Sequence, residues 1–132
     1  MTAQCIHMFV ITLHGVRLKV LVLPTVKDVH EWSGPLGKQY KKEGRLIHAY
    51  FNTNNTNRNG HAVLPLNGCT PGIVAHEMAH CAINTRRPLR GLRDVTVALD
   101  DEAEEEVCTI LGDFTDIVWG RMRQLQIDHG IA

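Results

Sequence analysis

Residues His76-Glu77-Met78-Ala79-His80 read H-E-x-x-H, and no other stretch constrains this chain as strongly. On an α-helix, two residues four apart lie on the same face, one turn above the other. The flanking Gly72-Ile73-Val74-Ala75 and Cys81-Ala82-Ile83 are compatible with that conformation. Two imidazoles so arranged can share one Zn²⁺ at roughly 2.0–2.1 Å each. Glu77, adjacent to the first histidine, can reach a water on that metal and take its proton. The chain must therefore build a helix here and leave one face of it open. The chemistry implied is metal-dependent hydrolysis, with a peptide bond as the leading substrate.

Local signals bound this helix at about 71 to 84. Thr70 is a good N-cap, and Pro71 sits at the first helical position, where its missing N–H costs nothing. Asn84-Thr85-Arg86-Arg87-Pro88 stops the helix, and Arg86 and Arg87 suit the negative end of its dipole.

Upstream, residues 4–13 and 16–23 are rich in Val, Ile, Leu and Phe, with His14-Gly15 between them, as in a β-hairpin with a tight turn. Arg17 and Lys19 alternate with Val16, Leu18 and Val20, the period-2 signature of a sheet with one wet face. Pro24 ends the second arm, and Thr25-x-x-Asp28 opens a short helix from about 25 to 33. Ser33 to Gly37 breaks it, and the charged residues 38–45 read as a solvated connector. A third strand is expected at 46–51, an Asn/Thr/Gly loop at 52–60, and a fourth strand at 61–66. Pro65 cannot donate a ladder hydrogen bond, which predicts that strand 61–66 lies at an edge. An extended peptide or protein substrate could add to such an edge.

Downstream, residues 85–99 form a basic connection containing Arg86, Arg87, Arg90 and Arg93. Asp100 can cap a long final helix from about 101 to 127. Its first turn carries Asp101, Glu102, Glu104, Glu105 and Glu106, as the macrodipole favours. Its apolar stripe is Val107, Ile110, Leu111, Phe114, Ile117 and Val118, continued by Met122 and Leu125. The fold class expected is α+β, with a small, mostly antiparallel sheet of three to four strands packed on the H-E-x-x-H helix and the long C-terminal helix.

A length of 132 residues fits one domain, 1–132, with enough chain for a real core. Basic and acidic residues balance at 14 each, so bulk charge argues for no nucleic-acid or anionic-membrane partner. Eight histidines are a mild metal-binding signal. Cys5, Cys69, Cys81 and Cys108 contain no C-x-x-C pair and read as buried thiols of a reducing compartment rather than a disulfide framework. No run approaches the roughly 20 apolar residues of a membrane span. The apolar N-terminus lacks a basic leader and a cleavage site, so a cytoplasmic protein is expected.

A catalytic zinc usually has three protein ligands and one open position. His76 and His80 supply two. The extension H-E-x-x-H-x-x-G-x-x-H fails, because Ile83 and Arg86 occupy its Gly and His positions. His129 lies in the tail, so a carboxylate from the acidic helix is the remaining option. Glu105 is favoured because Cys108 and Gly112, three and seven residues on, are small and would let this helix approach closely. Glu102 and Glu106 stand as alternatives. Tyr50, His48 and His61 are candidates for stabilising an oxyanion. The remaining histidines, His7, His14, His30 and His129, read as surface or ordinary packing residues.

With the strand at His61–Leu66, the sequence Gly72 to His80 and the acidic segment Glu105 to Gly112, the layout resembles the compact gluzincin-type zincins, in particular ImmA/IrrE-like and phage-encoded metallopeptidases. The resemblance covers roughly residues 46–120. It implies a minimal zincin-like fold, His76, His80 and Glu105 as zinc ligands, Glu77 as general base, and a phage or prophage origin. Cys108 and Thr109 stand where many such proteins carry Ala followed by Asn, Asp or Tyr, and Cys81 replaces an ordinary aliphatic residue. The alternatives are a non-catalytic metal-stabilised interaction module and a SprT-like protease. The second lacks its third histidine here.

Overall fold

The computed structural model describes residues 4–53, 58–86 and 101–131. The hairpin forms as the sequence indicates: β1 (His7–Leu13) and β2 (Val16–Leu23) pair antiparallel from Leu13↔Val16 to His7↔Val22. Two residues turn the chain, and both take positive φ, 54° at His14 and 71° at Gly15. That is the pairing of angles a right-twisting two-residue hairpin requires.

After Pro24 the chain forms α1 (Val26–Trp32). The Thr25 hydroxyl accepts from the Asp28 N–H at 3.2 Å, and the Asp28 carboxylate accepts from the Thr25 N–H at 3.1 Å. This reciprocal pair satisfies two otherwise orphaned donors. The expected solvated connector is instead largely a second helix, α2 (Pro35–Lys42). Pro35 begins it at the first helical position, where a proline favours helix entry rather than ending it. β3 is shorter than expected, Tyr50–Asn52. The Ile47 N–H donates to Nδ1 of His30 at 3.0 Å, and that bond to α1 holds this part of the chain.

β4 (Asn59–Pro65) pairs parallel with β2 and antiparallel with β3, giving the order β1-β2-β4-β3. The fold class is α+β with a mostly antiparallel four-stranded sheet. The expectation that 61–66 forms an edge is wrong: β4 is internal, and among the described residues β1 and β3 are the edges. Proline is tolerated because the Leu66 N–H bonds to the Leu23 carbonyl on the β2 side. By alternation, the nitrogen of Pro65 faces the other side, beyond the end of β3.

α3 (Pro71–Asn84) follows, then α4 (Asp101–Asp128). The proposed Asp100 cap and the basic residues Arg87, Arg90 and Arg93 lie outside the described residues. One face of the sheet (Phe9, Ile11, Val16, Leu18, Val20, Val22, Ala62, Leu64) packs on Val74, Met78 and Ala82 of α3 and on Val107, Ile110, Phe114, Val118 and Met122 of α4. The other face carries a smaller cluster of Leu23, Val29, Ile47 and Val63. Gln126 is buried on α4 and donates to the carbonyls of Leu66 and Cys69 at 3.1 and 3.0 Å, tying the long helix to the turn that precedes α3. No helix among the described residues is long and apolar enough to cross a membrane.

Candidate metal centre

Helix α3 starts where Thr70 accepts from the Ile73 N–H at 3.2 Å, with Pro71 next in line. Its buried residues Val74, Met78, Cys81 and Ala82 fix which way the helix faces. His76 and His80 then fall on the open side, with ring centroids 5.0 Å apart and planes at 75°. Glu77 falls at the border between the two sides. It is three residues after Val74 and four before Cys81, so it shares their packed stripe and is only 3 % exposed. Burial raises the pKa of its carboxyl group, against the opposing effect of His76.

One ligand atom from each of His76, Glu77 and His80 lies within 4.8 Å of the others. The two imidazole nitrogens suit a borderline-soft divalent cation such as Zn²⁺, and the Glu77 carboxyl group stands beside them. The three side chains open into a cavity of about 690 Å³. Its walls come from Thr70, which caps α3, from Gly72, Ile73 and Asn84 of α3, from the segment 46–53 including β3, and from Leu36 and Tyr40 of α2.

His48 and Tyr50, two of the oxyanion candidates, line this cavity, and burial raises the Tyr50 pKa. His61, the third, does not line it. His61 sits on β4 beside Lys19, where burial and then the lysine charge lower its pKa.

Glu105 is not brought to the histidines. It is exposed and lines a separate cavity of about 500 Å³ with His14, Glu102, Glu106, Thr109 and Ile110. The cause is helical phase. Ala103, Val107, Ile110 and Phe114 are the buried face of α4, and Glu105 lies about 200° round the helix from Ala103. The small residues thought to permit close approach do not face α3: Cys108 is exposed, and nothing lies within 4 Å of a Cβ built on Gly112. Glu102 is exposed too. Glu106 is occupied by ion pairs with Arg86 at the end of α3 and with Arg58, the latter at 3.4 Å. Among the described residues, no further His, Cys, Asp or Glu joins the His76–Glu77–His80 group.

Leu36, Tyr40 and Asn84 are among the cavity residues that sequence reasoning missed. Leu36 and Tyr40 are four apart on α2, a spacing readable only once that stretch is known to be helical. Asn84 stands four residues after His80, on the same face as both histidines, and that signal was available.

Comparison of the chain with family models, curated proteins and solved structures gives no match. The likeness to compact zincins therefore rests on the residues themselves.

Proposed function

We propose that this chain is a zinc-dependent peptidase centred on His76, Glu77 and His80. One observation carries the reading: two imidazoles and a buried carboxyl group meet within 4.8 Å on one wall of a large cavity. His76 and His80 would hold the zinc, which when bound would supply a Lewis acid and a water whose pKa falls towards neutrality. Glu77 is the group placed to accept the proton of that water and pass it to the leaving amine. Its burial suits the task, because a raised carboxyl pKa lies closer to working pH. The expected edge-strand docking moves from β4 to β3, whose residues Tyr50–Asn52 border the cavity and, among the described residues, pair with a strand on one side only. An extended substrate segment there would add to the sheet by main-chain hydrogen bonds.

Zinc titration and peptide cleavage test the proposal together. His76→Ala and His80→Ala each remove zinc binding. Glu77→Gln keeps zinc binding and lowers cleavage by on the order of 10²-fold or more. Cleavage that survives Glu77→Gln sinks the mechanism. The non-catalytic metal-stabilised module is the alternative reading. Zinc binding with no cleavage of any peptide or protein by the wild type would support it.

A further inference from the structure

The other edge of the sheet poses a separate question. β1 is seven residues long, its register with β2 runs unbroken from Leu13 to His7, and it contains no Lys, Arg, Asp, Glu or Pro. Edge strands are ordinarily blunted by charges, prolines, bulges or short length, because an open row of N–H and C=O groups invites another strand. From Met8 to Leu13 β1 has none of these devices; its one irregularity is at the start, where the Ile6 N–H bonds to the carbonyl of Val22, the residue paired with His7. Its inner face is closed by the core, where Phe9 and Ile11 are buried and the Arg121 guanidinium lies 5.3 Å from the Phe9 ring centre. Its outer face carries Met8 and Val10, 51 % and 38 % exposed, and the exposed Thr12.

Hydrogen-bond alternation identifies the groups at the free edge. The Arg17 N–H bonds to the Arg58 carbonyl on the β4 side, so the amides of Val16, Leu18, Val20 and Val22 face β1. Their partners are Leu13, Ile11, Phe9 and His7. The main-chain groups of Met8, Val10 and Thr12 therefore point outward.

We propose that β1 pairs with β1 of a second copy of this chain, antiparallel about a two-fold axis at Val10. In this register the outward groups of Val10 meet those of its symmetry mate, and Met8 meets Thr12 of the other copy. The same residues bring their side chains together on the open face, so Val10 packs on Val10 and Met8 on Thr12. The strand is neutral, so self-pairing opposes no like charges, and the two sheets join into one of eight strands. A second copy fits better than an unlike partner because the same short sequence supplies both halves, and a two-fold interface is the commonest oligomer contact. The pairing lies at the opposite edge of the sheet from β3 and leaves the candidate metal centre open.

Sedimentation velocity from ~1 to ~100 µM, a range that brackets a weak, small interface, decides the matter. The expected result is a dimer that grows with concentration, with the amides of Met8, Val10 and Thr12 gaining protection from hydrogen exchange in step. Val10→Lys places two like charges on the axis and is expected to give a monomer with an unchanged circular dichroism spectrum. Should that variant unfold, Met8→Lys serves instead, placed off the axis on the same exposed face. A wild type that stays monomeric at every concentration overturns the proposal. So does a dimer that survives the lysine in a folded variant, or one whose protected amides lie elsewhere.

Discussion

At the scale of single residues, environment separates groups of the same type. Cys69 and Cys81 are buried, and burial pushes their thiols up to about 12 and about 11, while Cys5 and Cys108 are exposed. The expectation that all four are buried thiols therefore holds for two. Alkylation of the native protein with iodoacetamide should modify Cys5 and Cys108 first and reach the other pair only in denaturant. The same shifts set an alkaline limit. The unfolded chain releases these protons near 9.0, whereas the folded chain holds them to about 11 and 12. The stability they contribute is present below pH 9 and is lost as pH rises through that window. A lower urea midpoint at pH 10 than at pH 8 is the expected reading, and Cys69→Ala should shrink the difference.

At the scale of elements, caps and close approaches carry the argument. Thr70→Ala leaves the Ile73 N–H without its acceptor and should cost about 1 kcal/mol, read as a fall in thermal midpoint. Gly37 gives a sharper test, because helix propensity and packing disagree there. Alanine is the better helix former by about 1 kcal/mol. Yet a Cβ on Gly37 would lie 2.5 Å from the His30 carbonyl oxygen in α1. That contact is with backbone, so α2 must move. Gly37→Ala should destabilise by about 1–3 kcal/mol, as overpacking does, and a stabilised variant would show that α1 and α2 do not meet this way.

At the scale of the molecule, the position of α4 decides which acidic residue can reach the centre. α4 is fixed by its stripe against α3 and the sheet and by the Gln126 tie, and that phase turns Glu105 outward. Zinc affinity should therefore be unchanged within about twofold by Glu105→Ala, against the large loss in His80→Ala. Titration of both variants checks it, and a comparable loss in the two would restore the glutamate as a ligand. Much of the site was legible beforehand. H-E-x-x-H, Thr70 and Pro71 are local signals, and the helix they specify runs Pro71–Asn84. The apolar stripe of the last helix was legible for the same reason, although Ile117 proves exposed. Helix α2 is not legible in the same way, because the charges along it mark exposure and not backbone conformation.

The sequence by itself determined what neighbours along the chain control: the hairpin turn at His14-Gly15, both capped helices, and the one-turn spacing that puts His76 beside His80. These depend on φ, ψ and side chains a few residues apart. Only the tertiary structure decided that β4 is internal and β3 borders the cavity, and that Glu105 faces away from the histidines. Strand order and helix phase depend on which residues bury together across long stretches of chain, and no local spacing encodes that.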